Sequence, residues 1–298
     1  MLDLYLMSPP SPRWALRGRS NFRSREAPPV DAVRARFEWL ALAEAIEAHG
    51  GTVVALPPDD DTLTGMPYAA ECGHIVDIGD APLFLLPRMA SPHRRPERER
   101  WARLALEMGL SVLDPGRGTW EAQGDVAVFS GVTLLFHGGR TDREGMEAAA
   151  AMLPGELLRL EIREPAFHGN MAVLPLPAAD RLLVCPDVFA GDGTDRLAAR
   201  FGHDRLLFVT EPEIRCYATN GLPIGDAILA PSVLPDRVRA LLVALGLEVM
   251  LFSMTELCEK AGGASRCLAS HARLGAGRAR IPDENRLAAV AAEIREHP

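Results

Sequence analysis

The sequence predicts an α/β chain built from five like units that close in a ring around a central channel, an α/β propeller of five ββαβ-type units forming a single domain over residues 1–298. Three observations predict it. Apolar runs of strand length alternate with amphipathic stretches of helix length along the whole chain. The order strand, helix, strand, loop, strand recurs five times at a period of about fifty residues, the range of a repeating supersecondary unit. The 298 residues, 48% of them hydrophobic, also suffice to bury a large core.

The first pass opens on an apolar strand, Leu2 to Met7, stopped by Ser8-Pro9-Pro10. A Pro- and Arg-rich loop, Ser11 to Pro29, leads into a helix over about Val30 to His49, with Phe37, Leu40, Ala41, Ala45 and Ile46 as its apolar face. Gly50-Gly51 ends that helix, and Thr52 to Leu56 reads as a strand. The second pass reads Leu83–Leu86, a helix over Arg94–Met108, and Leu110–Leu113. The third reads Val132–Phe136, Arg143–Leu153 and Leu157–Glu161. The fourth reads Leu182–Cys185, about Thr194–Phe201 and Leu206–Val209. The fifth reads Ala227–Ala230, Pro235–Leu245 and Leu247–Phe252, followed by the loop that carries Cys267.

Composition narrows the function classes. A net charge of −8 opposes a nucleic-acid surface, which needs clustered positive charge. The basic run His93-Arg94-Arg95 with Arg98 is followed by acids and reads as a solvated helix start. Lys260 is the only lysine, so Schiff-base chemistry would have that residue alone, and no cofactor is expected. Gly191-Asp192-Gly193 lacks the third glycine of a dinucleotide loop, and no Gly-Lys-Ser/Thr occurs. No apolar run approaches a membrane span, and Met1 to Pro10 lacks the layout of a secretory leader, so a cytoplasmic setting is expected. Five scattered cysteines do not form a disulfide framework, and Cys258, Cys267 and His271 are spaced unlike a zinc site, so no metal is expected. His271 reads instead as the cap of a strand end. A homodimer is the default oligomer.

Glu71, Glu121, His168, Asn220 and Cys267 close the five passes. A ring brings equivalent loops together, so two carboxylates, an imidazole, an amide and a thiol are expected at one end of the channel; in an ordinary α/β sheet, the alternative, they would lie apart. That set suggests nucleophilic catalysis, with a thiolate attacking, a histidine moving protons and a carboxylate orienting it. By itself Cys267, after Gly262-Gly263 and at the start of a short apolar strand, reads equally as a small buried hydrophobe.

Five sets of segments, Tyr68-Ala69-Ala70-Glu71, Glu121-Ala122-Gln123-Gly124-Asp125, Gly139-Arg140-Thr141 with Arg143-Glu144-Gly145, His168-Gly169-Asn170, and Gly262-Gly263-Ala264-Ser265-Arg266-Cys267, stand out. They resemble segments of the guanidine-modifying (pentein) superfamily of deiminases, dimethylarginine dimethylaminohydrolases and amidinotransferases. The resemblance runs from Leu6-Met7-Ser8-Pro9-Pro10 to Leu268 and implies the five-unit ring. It implies that Cys267 attacks the central carbon of a guanidinium or amidinium, that His168 protonates the departing amine and activates water, and that Glu121 holds His168 and substrate nitrogens. It further implies substrate contacts from Glu71, Asp125, Asn170 and Asn220, with Arg88 and Arg140 holding a substrate carboxylate. Two departures bear on substrate. Asn170 stands where the family usually has Asp, and Glu71 is one methylene longer than the usual Asp. Plain arginine or agmatine is thereby disfavoured and a substituted guanidine remains open. The implied activity is hydrolysis of a C–N bond in a small guanidino or amidino compound, with amidino transfer or a non-catalytic binding role as the alternatives.

Overall fold

The computed structural model describes residues 1–17 and 21–297; of the loop read from Ser11 to Pro29, residues 18–20 lie outside the described residues. In chain order the elements begin with β1 (Leu2–Met7), α1 (Ala32–Ala48), β2 (Thr52–Ala55), β3 (His74–Val76), β4 (Leu83–Leu85), α2 (Glu97–Glu107) and β5 (Ser111–Leu113). There follow β6 (Val126–Phe129), β7 (Val132–His137), α3 (Arg143–Ala150), β8 (Glu156–Glu161), β9 (Val173–Leu176), β10 (Arg181–Val184), α4 (Gly193–Phe201) and β11 (Leu206–Phe208). The chain continues through α5 (Glu211–Ile214), β12 (Leu222–Ile224), β13 (Ala227–Pro231), α6 (Asp236–Ala244), β14 (Glu248–Phe252), β15 (Ser270–Leu274) and α7 (Leu287–Glu296).

Among the described residues these strands form five three-stranded sheets of one design. A central strand pairs in parallel with the strand that follows its helix, as β4 does with β5 and β7 with β8. On its other side it pairs antiparallel with a short strand from the preceding loop, as β4 does with β3 and β7 with β6. The parallel pair needs a crossover, which the helix supplies. The strand after each loop therefore belongs to the next sheet, a shift of one strand from the grouping read in the sequence. The first sheet is completed from the far end of the chain, where β15 pairs antiparallel with β1 from Leu2↔Leu274 to Leu6↔Ser270. The central strands β4 and β13 are buried throughout, and β10 is buried after Arg181; all three are rich in Leu, Ile, Val, Ala and Phe, as central strands between layers require.

Three expectations of detail are corrected. The buried face of α1 is Ala35, Trp39, Leu42, Ala43 and Ile46 with Leu40, while Phe37 is exposed at 44%; the choice between adjacent apolar stripes was made by packing against α7, which the sequence reading left out. Cys267 lies on a 3₁₀ turn, Ser265–Leu268, before β15 begins. His271 sits inside β15 instead of capping it, stacked on Tyr5 with ring centroids 4.6 Å apart. No helix among the described residues is long and apolar enough to cross a membrane.

Candidate active site

Four of the five loop residues singled out by the period lie on or beside short 3₁₀ turns, Ala69–Glu71, Ala122–Gly124, Gly169–Met171 and Ser265–Leu268, and Asn220 lies just ahead of β12. All five are buried. Such turns expose backbone donors and present one side chain sharply, which suits a site assembled from separate loops.

Glu121 and His168 form its centre. The Glu121 carboxylate accepts a 2.7 Å hydrogen bond at His168 Nε2 through Oε2 and a 2.9 Å bond from the Ala90 N–H through Oε1. Both residues are wholly buried. Burial alone would push the Glu121 carboxyl up, but the His168 hydrogen bond and charge, with Arg140 and Arg94 beyond, hold it well below the carboxylate range. Beneath the ring, Asp125 accepts from the Gly169 N–H at 2.8 Å and from the Thr141 hydroxyl at 2.6 Å, and Thr141 Oγ1 in turn accepts from the Glu121 N–H at 3.0 Å. Burial raises the Asp125 carboxyl to about 6, against the lowering effect of His168 and these bonds. Asp125 therefore supports the loop that carries His168.

Cys267 is presented from the other side. Its N–H donates to Asn220 Oδ1 at 3.2 Å, and the preceding Arg266 N–H donates to the Asn220 carbonyl at 3.0 Å, so one asparagine fixes the turn. Asn170 Nδ2 lies 3.4 Å from the sulfur. Burial pushes the Cys267 thiol up, opposed by the two amides, by the Arg266 charge and by the backbone. The glycine pair has two separate reasons. Gly262 has φ +94°, and a Cβ there would strike the Asn21 side chain, which is bonded to the Ala261 carbonyl. A Cβ on Gly263 would strike the Tyr68 ring.

The arginines differ most from the sequence reading. Arg94 is buried at 6% exposure, not solvated, and its guanidinium pairs with Glu71 and with Glu97 at 2.9 Å while donating to the Gly65 carbonyl at 2.8 Å. Glu71 therefore has a fixed cation of the chain's own beside it, and it also lies 3.3 Å from His168 Nδ1. That contact has ion-pair distance without hydrogen-bond geometry, since Nδ1 is left without a hydrogen-bond partner. Arg140 lines the cleft, its guanidinium 4.7 Å over the Phe167 ring and 3.8 Å from Glu121. Arg88 does not line it; its guanidinium is held at 3.1 Å by Asp114. The cleft is walled by Tyr68, Glu71, Arg94, Arg140, Phe167 and Cys267. Arg94, Thr141 and Asn21 were missed in the sequence, where a buried arginine carries the same letter as a solvated one.

Glu71, Glu121 and His168 place ligand atoms within 4.8 Å of one another. The donor set suits a metal poorly, because Arg94 already neutralises Glu71 and Glu121 is engaged by His168 and a backbone N–H.

No protein-family model matches the chain. It is 26% identical over 267 residues to the N(G),N(G)-dimethylarginine dimethylaminohydrolase of Mycobacterium tuberculosis, covering 88% of this chain and 83% of that protein. Its fold matches the N-terminal domain of ArgZ, an arginine dihydrolase of the cyanobacterial ornithine–ammonia cycle, with a TM-score of 0.82 and 22% identity over 92% of this chain and 99% of that one. The resemblance to the guanidine-modifying (pentein) superfamily read in the sequence is thus supported by a curated relative and by the fold. A second pentein structure, a dimethylarginine dimethylaminohydrolase variant in an adduct with S-methyl-L-thiocitrulline, matches with a TM-score of 0.67 and 18% identity over 91% of this chain and all of that one. These pentein structures are under a quarter identical in sequence, and they bear on the fold.

Proposed function

We propose that the chain is a hydrolase that cleaves a C–N bond of a substituted guanidino or amidino compound through a covalent intermediate on Cys267. The observation that carries this reading is the buried Cys267 thiol beside Asn170, two residues on from His168, whose ring is held by the buried Glu121. The homology to a dimethylarginine dimethylaminohydrolase adds to it.

In this reading the Cys267 thiolate attacks the amidinium carbon, and the C–N bond to the leaving amine breaks as His168 gives that nitrogen a proton. The product is an S-linked thiouronium. His168 then takes a proton from water, whose oxygen attacks the same carbon; the C–S bond breaks, the ureido product leaves and the thiolate is restored. Glu121 holds the ring upright and stabilises its charged form. Three buried polar atoms of the site, His168 Nδ1, Asn170 Oδ1 and Asn220 Nδ2, have no partner in good hydrogen-bond geometry within the protein. Such atoms are uncommon unless a ligand satisfies them, and Asn170 Oδ1 suits a substrate N–H. Because Asn170 is neutral and Arg94 offsets Glu71, a substituted guanidine fits better than plain arginine. Arg140 is assigned to a substrate carboxylate. The ring reading belongs here too: one cavity is lined by β15, β3, β6, β9 and β12, an antiparallel edge strand from every sheet, as a single domain closed around a channel would have. The cysteines are all unpaired, which suits the cytoplasm.

The test is alkylation with 2-chloroacetamidine beside iodoacetamide, read by intact mass and peptide mapping. Saturable labelling of Cys267 by the amidine, absent after denaturation, is expected, followed by release of ureido product from N-substituted arginines. Labelling spread over the other thiols, half-buried Cys216 among them, at the iodoacetamide rate would overturn the reading. Product analysis with and without an acceptor amine separates hydrolysis from amidino transfer.

A further inference from the structure

The cavity lined by the five edge strands shares no lining residue with the cleft at Cys267, and at about 810 Å³ it has the size of a small-molecule site. Its walls include Phe129, Leu222 and Ile224, and its charges are unevenly matched. Asp3 is paired with Arg273 at 3.0 Å and with His271 at 2.9 Å, and Asp180 is paired with Arg205. Arg266 also lines this cavity, and among the described residues its guanidinium has no carboxylate partner, only the Val173 carbonyl at 2.5 Å from Nη1. Burial lowers Arg266 to about 10, which leaves it charged at neutral pH.

A neutral donor stands in the same wall. Gln123 accepts from the His271 N–H at 2.9 Å through Oε1, so its amide nitrogen is the end that meets the His271 carbonyl and His74 Nδ1 at 3.1 Å. His74 Nδ1 must therefore accept, and the ring proton sits on Nε2. Burial holds His74 down at about 4, so it stays neutral near pH 7. A guanidinium fork without a carboxylate partner among the described residues, an imidazole N–H and apolar walls together define a site for a carboxylate on a compact apolar body.

We propose that this cavity is a second small-molecule site, taking an apolar monocarboxylate on Arg266, and that its occupancy lowers the reactivity of Cys267. The link is one residue long. Arg266 and Cys267 are adjacent, both backbone N–H groups are held by Asn220, and the Arg266 charge favours the thiolate next to it. A bound carboxylate offsets that charge. The binding half does not depend on the hydrolase reading, and the coupling half is read on the thiol itself.

The probe is benzoate, titrated calorimetrically into the full chain before and after Cys267 is alkylated. Saturable binding that persists in the alkylated protein is expected, weakened about tenfold or more in Arg266→Gln, the loss of a charge-assisted pair. Val128→Glu, at an exposed strand position lining the same cavity, keeps Arg266 and places a carboxylate at the mouth; it is expected to weaken binding too and serves if Arg266→Gln does not fold. Benzoate is expected to slow iodoacetamide alkylation of Cys267 severalfold in the natural chain and not in Val128→Glu. No saturable binding at about 10 mM, or binding that is lost on alkylation and untouched by Val128→Glu, overturns the site. Binding without any slowing of alkylation overturns the coupling.

Discussion

Glu71 and Glu121 close the first two units at matching positions, both buried and both within reach of the same imidazole, on opposite ring nitrogens. They differ in the partner each one keeps. Glu71 is held by Arg94, a permanent charge that Glu97 and the Gly65 carbonyl fix in place. Glu121 is held by the His168 imidazole, 2.7 Å away at Nε2, and not by a permanent cation. One carboxylate thus belongs to a static wall and the other, in the proposed reaction, to a proton relay. The partner packed beside a buried acid, more than the acid or its place in a repeat, decides which role it takes.

In the proposed reaction the Cys267 sulfur is the nucleophile, so its loss sets the scale. Cys267→Ser is expected to remove turnover by about 10⁴-fold or more with the fold intact, checked by product release beside a melting curve; wild-type turnover in that variant would end the mechanism for both walls. The static wall is probed next. Arg94→Met leaves Glu71 and Glu97 buried without their cation, and a loss of about 3–5 kcal/mol in denaturant unfolding is expected, whereas Glu71→Gln keeps the Arg94–Glu97 pair and costs less. Equal losses would mean that Glu97 does not matter to the wall. Glu121→Gln, in the relay, is expected to lower kcat by about 10²–10³-fold at a milder cost in stability. A fall in kcat no larger than that of Glu71→Gln would erase the contrast.

The smallest effects lie in pH. Glu121 sits below its ordinary value of 4.5, near 2, so its stabilisation is present above pH 4.5 and is lost as pH falls toward 2. Asp125 sits above its ordinary 3.8, near 6, so its contribution is present below pH 3.8 and is lost as pH rises through 6. Melting temperature against pH should therefore lose slope between 4.5 and 2 in Glu121→Gln, and between 3.8 and 6 in Asp125→Asn. Unchanged slopes would show that neither shift survives in the protein.

The sequence carried the period, the strand and helix order and the loop residues Glu71, Glu121, His168, Asn220 and Cys267, because apolar alternation and chemical type are local properties. It also carried the need for two glycines before Cys267, although the separate obstacles, Asn21 and Tyr68, come from remote loops. Arg94 was misread because its neighbours in sequence, His93 and Arg95 among them, suggest a solvated helix start, while Glu71 comes from another loop. Arg88 and Arg140 look alike in sequence, and only packing sends one to Asp114 and the other to the cleft.

By itself, then, the sequence determined which segments form strands and helices and which chemical groups sit at their ends. Which strands pair was settled only in three dimensions, where each loop's strand joins the following sheet and β15 returns to β1 across nearly the whole chain. Tertiary structure alone also paired Arg94 with Glu71 and left Arg266 without an acid among the described residues. The reason is physical: hydrophobic periodicity is set by neighbours within a few residues, whereas the field at a buried charge is set by whatever packing brings within a few ångströms, at any distance along the chain.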